Sequence, residues 1–418
     1  MKIVVQSPFL PCMPRHGLAA RMRERKTLLR RTLIALLLCF VALSATYRSL
    51  RAAGATDEMR ALWVRQTSLE TEESIRRMVA SASTSGFNTL FVQIGSEAAG
   101  AAQTFDPVAE TINQAHTAGL RVHAWLDIAR VAPSGELPFA RDHVIYQHPE
   151  WLMVPRALAA ELLPVDVHSP DYLGRLVRWT RSNTDRIDGL YVSPALPEAA
   201  SYLAEAVRDI VRRYPLDGVY LDHVRYPAAD FDYGARSIAA FRDMMRGQLP
   251  LTERQRIDSI QALDPFAYPN ELAEEWRSFR RAQLTALVVR LRSTAKSVRP
   301  GTVVSVAVTS DAESAERENL QDWRTWAANE FIDALCPMVT GADVTGQLSQ
   351  IHALAAGRPF WAGIGANRLS QRETIDGIAA ARRAGAQGIV LFSYDSLISP
   401  PKGSEFLTGI GRGAFAGS

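Results

Sequence analysis

Cysteine is scarce in this chain of 418 residues, and its scarcity excludes several classes of protein. Only three cysteines are present, and Cys336 is the only one beyond residue 55. A single cysteine cannot form an internal disulfide, a cysteine-based zinc cluster or a Cys-X-X-Cys redox motif. Because Cys336 lies in an apolar segment, we expect a buried and unreactive thiol.

Several motifs with a known chemistry are also missing. No Gly-rich phosphate loop follows the first predicted strand, and neither a Gly-X-Ser-X-Gly elbow nor a deaminase signature occurs. His148 and Glu150 are two residues apart, but the second histidine that a helical zinc motif requires is absent. We therefore predict that this pair has a packing role, and we expect neither a metal nor a cofactor.

The apolar run at residues 33–45 is too short for an ordinary membrane span. It holds about 13 apolar residues behind two arginines, whereas a spanning helix needs about 20. A basic segment before a short apolar run is typical of an export signal. Cleavage after Ser44, cleavage after Ala55 and retention as a membrane anchor all remain open. We predict that residues 1–55 are an export signal or anchor that contacts the membrane.

The formal net charge of +3 is distributed unevenly. Residues 1–55 hold ten bases and one acid, so the remaining chain has 37 bases and 43 acids and carries a charge of −6. An acidic body is unsuited to neutralising phosphates, so nucleic acid is not an expected partner. The basic character therefore belongs to residues 1–55, the predicted export leader, and indicates export instead of an acidic partner.

Apolar segments with β-type residues alternate with helical patterns along residues 56–400. The alternation predicts a parallel α/β fold, namely a (β/α)8 TIM barrel with long βα insertions, and a doubly wound sheet is the alternative. The insertions are expected after the third and fourth strands, and residues 401–418 are expected to form a C-terminal tail. The predicted strands are Ala61–Val64, Asn88–Ile94, Arg121–Asp127, Gly218–His223, Thr302–Thr309, Ile332–Met338, Phe360–Gly365 and Gly388–Tyr394.

Alternation along the strands separates side chains that face the barrel from those that face the helices. In the third strand His123, Trp125 and Asp127 share one face. In the fourth strand Tyr220 and Asp222 share one face, whereas His223 falls on the other with the apolar residues. Barrel enzymes place their active sites at the carboxyl ends of the strands, so these polar sets predict an active site there.

Asp222 is the strongest catalytic candidate, because it ends a strand among aromatic residues and Arg225 follows it closely. Arg225 could keep Asp222 ionised, or the two could form a purely structural ion pair. Cleavage of a glycosidic bond requires a second carboxyl group. Asp311 is the first choice, and Asp127 and Asp395 are its rivals, although aspartates at a barrel rim often cap helices instead.

The aromatic residues near the strand ends are suited to binding a sugar. Sugar rings offer apolar faces that stack on aromatic side chains, and their hydroxyls form hydrogen bonds. Alternatively, some of these aromatics fill the barrel core. The candidate substrate-binding residues are Trp63, Trp125, Tyr226 and Tyr394 for stacking, and Gln93, His123 and Arg225 for hydroxyl groups.

Eight segments of the sequence resemble the glycosyl-hydrolase-like 10 group of bacterial glycosidases. The resemblance covers nearly all of residues 60–396, and the block from Asp217 to Pro227 carries most weight. It implies a (β/α)8 barrel, export and action on carbohydrate, with Asp222 matching the strand-four carboxylate of the family. The segments are Arg60–Val64, Gly86–Gln93, Ala115–Leu126, His148–Trp151, Asp217–Pro227, Gln321–Trp323, Ile332–Met338 and Gly388–Tyr394.

Two departures from the family pattern remove groups from the expected cleft. Residues 94–102 are a short segment without aromatic side chains, whereas the family carries a longer aromatic loop there. Thr340 stands where a tyrosine is expected. The prediction is therefore an exported glycoside hydrolase that cleaves a polysaccharide or oligosaccharide with two carboxylates. The alternative is a catalytically inactive barrel that binds glycan at the cell envelope. If no second carboxyl group lies within about 10 Å of Asp222 across an open cleft, the two-carboxylate mechanism fails.

Overall fold

A computed structural model of the protein describes residues 58–95, 105–135, 137–339 and 344–416. The predicted export leader, most of the loop after the second strand and Thr340 lie outside these residues. Within the described part of the chain, no helix is long and apolar enough to cross a membrane.

Eight parallel strands close into a barrel, as the sequence predicts. The strand order around the barrel is β1-β10-β9-β8-β7-β6-β3-β2, so neighbours in the chain are neighbours in the barrel except where β4 and β5 intervene. The barrel strands are β1 Met59–Val64, β2 Thr89–Gln93, β3 Arg121–Asp127, β6 Gly218–Asp222, β7 Val303–Thr309, β8 Ala334–Val339, β9 Trp361–Ile364 and β10 Gly388–Leu391. The two remaining strands are β4 Arg130–Pro133 and β5 Gly189–Tyr191.

Helices surround the barrel and bury one face against it. The helix Ala273–Val298 shows this pattern, because its buried residues include Leu284, Leu287 and Leu291 at helical spacing. The other helices of at least four residues are Glu72–Thr84, Pro107–Thr117, Val144–Gln147, Arg156–Leu162, Pro170–Arg181, Pro197–Arg213, Ala235–Gln248, Leu251–Gln261, Ala267–Glu271, Ala312–Glu318, Trp323–Ala328, Val344–Leu348, Ile351–Leu354, Gln371–Arg383, Tyr394–Ile398 and Ser404–Ile410.

Two long excursions leave the carboxyl end of the barrel, after β3 and after β6. The first contains β4 and β5, which pair antiparallel as a small two-stranded ribbon outside the barrel. Gly189–Tyr191 therefore belongs to this excursion and not to the barrel. The ribbon returns Asp188 and Arg130 to the rim of the barrel, where both contact residues at the ends of β3 and β6.

The barrel interior is filled by large side chains from alternate strand positions. Trp63 stacks on Trp125 with ring centroids 4.5 Å apart, and Phe91 lies 4.8 Å from Tyr220. His123 stacks on Phe91, and Gly218 makes room for it, since a Cβ atom at that glycine would lie 2.5 Å from the imidazole. The interior is therefore a packed core, and open space for a ligand begins only above it.

The C-terminal residues differ from the predicted tail. After residue 400 the chain forms the helix Ser404–Ile410 and a π-helical turn, Gly411–Phe415. Phe406, Leu407 and Phe415 are buried, and the Phe415 ring meets Phe87 edge-on with centroids 5.3 Å apart. These residues are integrated into the helical layer of the barrel because their apolar side chains cover the start of β2.

Candidate active site

A cleft of about 510 Å³ opens at the carboxyl end of the barrel, directly above the aromatic core. Its floor holds Trp63, Trp125 and Asp222, and its walls carry several cationic groups. Among the residues that the structure describes, Asp222 is the only carboxylate that lines this cleft. The other lining residues are Arg65, Arg130, His223, Arg225, Ala307, Val308, Thr309, Gln321, Met338, Asn367, Phe392, Ser393 and Ser396.

Asp222 is held at the end of β6 by two hydrogen bonds. The indole Nε1 of Trp125 donates to Oδ2 at 2.9 Å, and the backbone N–H of His223 donates to Oδ1 at 2.8 Å. The residue is only 9% exposed, and the exposed part faces the cleft. Two fixed donors on a nearly buried carboxylate restrict its rotation, so Asp222 presents a defined edge to a ligand.

His223 follows Asp222 in a left-handed backbone conformation, with φ of 50°. Its Nδ1 lies 2.6 Å from Oδ1 of Asp127, and its Nε2 lies 3.2 Å from Oδ2 of Asp188. Burial lowers the pKa of this imidazole, but the surrounding carboxylates outweigh burial and raise the pKa to about 9. At neutral pH His223 is therefore a buried cation.

Asp127 and Asp188 are the acceptors that surround His223. Burial opposes their ionisation, yet the hydrogen bonds from His223 and the nearby arginines outweigh it and lower both pKa values. Arg130 contacts Asp127 at 2.8 Å, and Arg225 contacts Asp188 at 3.1 Å. Asp127 and Asp188 are therefore permanently charged at physiological pH.

Asp127 and Asp222 occupy equivalent positions on adjacent strands. They are register partners in the pairing of β3 with β6, and they have carboxylate oxygens within 4.8 Å of each other. Both oxygens of Asp127 are engaged, one by His223 and one by Arg130. Asp127 thus lies behind Asp222, and its side chain borders a second cavity instead of the main cleft.

The structure brings together four of the predicted residues and separates the others. Trp63, Trp125, Asp222 and Arg225 all line the cleft. Arg225 pairs with Asp188 through Nη2, so the expected ion pair between Arg225 and Asp222 is not the contact observed.

The remaining predicted sugar-binding residues lie away from the cleft floor. Gln93 borders the second cavity, next to the end of β2. His123 is buried in the barrel core, where desolvation lowers its pKa to about 3. Tyr226 is fully buried below Arg280, and Tyr394 is buried in the first turn of the helix Tyr394–Ile398. None of these four residues lines the cleft, and only His123 lies in the barrel core.

Asp311 and Asp395 have structural contacts that differ from the expected catalytic role. The Asp311 carboxylate is exposed and caps the helix Ala312–Glu318 by accepting a hydrogen bond from the Ser314 backbone at 2.7 Å. Asp395 accepts hydrogen bonds from the Arg65 backbone and the Thr67 hydroxyl, and so ties the end of β1 to the segment after β10. Like Asp127, neither carboxylate lines the cleft.

Several residues in or next to the cleft were not predicted from the sequence. His223, Arg130 and Asp188 form the charged network, and Arg65 and Asn367 also line the cleft. Arg130 follows Asp127 by three residues and could have been found from that spacing. Asp188 had no such signal, because it comes from a distant excursion of the chain.

A metal would fit the charges of this network poorly. Asp127, Asp222 and His223 offer ligand atoms within 4.8 Å of one another, a spacing that a metal ion accepts. However, both nitrogens of His223 already face carboxylates, and Arg130 contacts Asp127. Metal binding would require one ring nitrogen of His223 to lose its proton, whereas the three surrounding carboxylates favour the protonated ring.

The closed parallel barrel and its rim cleft place the chain among the TIM-barrel proteins. The model of the Glycosyl hydrolase-like 10 family matches residues 92–356, and the chain belongs to this family. The resemblance seen in the sequence is thereby confirmed.

Relatives with curated names are distant and longer. Glycosyl hydrolase DigH of Escherichia coli K12 is 21% identical over 249 residues, which is 56% of this chain and 46% of that protein. Glycosyl hydrolase YngK of Bacillus subtilis 168 is 21% identical over 175 residues, which is 39% of this chain and 28% of that protein. The chain therefore spans less than half the length of these relatives.

Solved structures share the barrel. The glycoside hydrolase domain of PgaB (BpsB) from Bordetella bronchiseptica matches with a TM-score of 0.57 and 13% identity, covering 84% of this chain and 98% of that one. The catalytic domain of β-amylase from Paenibacillus polymyxa matches with a TM-score of 0.57 and 11% identity, covering 86% and 98%. At such low identity these matches show a common fold.

Proposed function

We propose that the protein is a glycoside hydrolase in which Asp222 acts at the glycosidic bond of a polysaccharide or oligosaccharide. The observation that carries the proposal is the position of Asp222 on the cleft floor, nearly buried and held by two donors beside two stacked tryptophans. Aromatic rings next to a fixed carboxylate suit a sugar ring whose apolar face stacks while its anomeric carbon meets the carboxylate. Membership in the Glycosyl hydrolase-like 10 family supports the same substrate class.

The sequence suggests a two-carboxylate mechanism, and Asp127 is the candidate second carboxylate that lies nearest to Asp222. An oxygen of Asp127 lies within 4.8 Å of an Asp222 oxygen, although Asp127 borders the second cavity and not the main cleft. Because His223 and Arg130 engage both oxygens of Asp127, its charge is fixed and it is unsuited to donate a proton. Asp222 is therefore the group that we assign to contact with the substrate, with Asp127 as its charged neighbour.

The substitution Asp222→Asn tests this assignment directly. Asparagine preserves the shape of the side chain but removes its charge, so we expect loss of at least about 100-fold in kcat on whichever glycan the wild type cleaves. The measurement is release of reducing ends from a panel of envelope and plant polysaccharides. Asp311→Asn is the matched control, because Asp311 is an exposed helix cap, and we expect it to retain activity. Equal product release by wild type and Asp222→Asn would refute the role of Asp222.

One observation favours a second function, a barrel that binds glycan without cleaving it. Asp222 is the sole carboxylate of the cleft lining among the described residues, and Asp127 is already fully engaged. If the wild type binds oligosaccharides in calorimetry but releases no reducing ends from any member of the panel, this function is the correct one.

We also propose that the protein is exported and acts outside the cytoplasm. The support lies in the sequence of residues 1–55, where a basic segment precedes a short apolar run, and in the acidic character of the remainder.

A further inference from the structure

The backbone at His223 places both its N–H group and its ring on the cleft side of β6. A positive φ is uncommon for residues other than glycine, although histidine adopts it more readily than most. The backbone N–H contacts Oδ1 of Asp222, while the ring turns towards Asp127 and Asp188. His223 therefore contacts Asp222 through its backbone and the carboxylates of Asp127 and Asp188 through its ring.

Both ring nitrogens of His223 face carboxylate oxygens, and this pattern specifies the protonation state. Neutral imidazole has one N–H donor and one lone pair, whereas imidazolium has two donors. Since oxygens of Asp127 and Asp188 lie beside the two different ring nitrogens, only the imidazolium places a proton towards each. The side chain is 13% exposed, so water can replace these contacts only partly.

Every element packed around the ring contributes a charged or titratable group. β3 contributes Asp127, and β6 contributes Asp222, whose Oδ1 lies 3.5 Å from Nδ1. The ribbon contributes three more groups: Asp188, Arg130, and Tyr191, which donates to Asp188 at 2.7 Å and meets the imidazole edge-on. The segment after β6 contributes Arg225, which also contacts Asp188. Three carboxylates balance one imidazolium and two guanidinium groups, so the network is electrically neutral only when His223 is charged.

We propose that His223 is a positioning residue that, as an imidazolium clamped between Asp127 and Asp188, fixes the orientation of Asp222. This inference rests on the proposed function for its catalytic consequence, but the clamp itself can be measured without activity. Loss of the ring proton would set a nitrogen lone pair against a carboxylate oxygen. The ring would then move, and the N–H bond from the same residue to Asp222 would move with it.

The first experiment is a titration of the His223 imidazole by nuclear magnetic resonance in the full-length protein, with the signal assigned from its absence in His223→Asn. Asparagine tolerates the left-handed backbone, so this variant preserves the local turn. We expect a pKa near 9 in the wild type. In Asp188→Asn we expect the pKa to fall by roughly one unit or more, a tenfold loss of proton affinity. An imidazole that titrates at or below its ordinary value of about 6.5 in the wild type would overturn the clamp.

The second experiment is the dependence of kcat on pH. The wild type should lose kcat as the pH rises through about 9, and Asp188→Asn should show the same loss at lower pH with KM changed less than about twofold. His116→Asn is the matched control, since it removes an exposed histidine–aspartate pair, His116 with Asp217, far from the cleft. If Asp188→Asn loses kcat at the same alkaline pH as the wild type, the positioning role is refuted. If the wild type cleaves none of the glycans, the proposed function is refuted. The titration by nuclear magnetic resonance still tests whether His223 is clamped as an imidazolium.

Discussion

At the scale of single residues, two neighbouring tryptophans on the cleft floor have different roles. Trp125 donates its indole N–H to Asp222, whereas the indole N–H of Trp63 has no hydrogen-bond partner among the described residues. The two rings stack on each other, so they share one packing environment. A substitution that removes the indole nitrogen but keeps an aromatic ring therefore separates hydrogen bonding from packing.

We predict that Trp125→Phe lowers kcat by about 10- to 100-fold, because a hydrogen bond to a charged group contributes about 1.5–3 kcal/mol. KM should change little, since the aromatic surface remains. Trp63→Phe is the control, and it should leave kcat within about threefold of the wild type. Steady-state kinetics on the best substrate of the glycan panel provides the measurement. Equal losses in the two variants would show that packing, and not the bond to Asp222, explains the effect.

Residue-level prediction from the sequence succeeded inside the strands and failed just beyond them. Alternation placed Trp125 and Asp222 on the barrel-facing side, which the structure confirms. The same rule placed His223 on the helix-facing side, but β6 ends at Asp222 and the left-handed backbone at His223 turns its ring back to the cleft. Asp311 likewise lies two residues beyond the end of β7, where helix capping and not alternation governs the side chain.

At the scale of secondary-structure elements, the eight barrel strands could be predicted and the C-terminal segment could not. Each barrel strand can be predicted from its own apolar run and the glycine-containing turn beside it, without information about the strands that pair with it. The segment after residue 400 carries no comparable pattern, and its short helix is stable only because tertiary contacts bury it.

We predict that Phe415→Ala lowers the free energy of unfolding by about 3 kcal/mol, the usual effect of truncating a buried phenylalanine. Phe415 is 5% exposed and packs on Phe87, so the substitution leaves a cavity against the start of β2. Leu263→Ala is the control, because Leu263 is 91% exposed, and its effect should stay within about 0.5 kcal/mol. Urea denaturation followed by tryptophan fluorescence measures both. A Phe415→Ala variant as stable as the wild type would mean that the C-terminal turn does not support the barrel.

At the scale of the whole molecule, the two oppositely charged parts of the chain suggest different environments. Export, which we propose, would bring the basic residues 1–55 to the membrane surface and the acidic remainder beyond it. The net charge of +3 conceals this division, because it is the sum of +9 for residues 1–55 and −6 for the remainder.

We predict that the full chain, expressed in a bacterial host, is recovered outside the cytoplasm, whereas a chain that starts at residue 56 remains inside. Cell fractionation with antibody detection measures the distribution, and the N-terminal sequence of the exported product distinguishes cleavage after Ser44 or Ala55 from retention as an anchor. Equal cytoplasmic recovery of the two chains would contradict export.

The clamp around His223 also has a consequence for exchange of segments between related barrels. Asp188 and Arg130 belong to the excursion that forms the ribbon, whereas His223 and Asp222 belong to β6. A chimaera whose new excursion lacked Asp188 would leave a buried cation facing fewer carboxylates, and one whose new β6 segment lacked His223 would leave carboxylates without their cation. Recombination between family members should therefore succeed when both segments come from one parent, so that the excursion and β6 are inherited as a single unit.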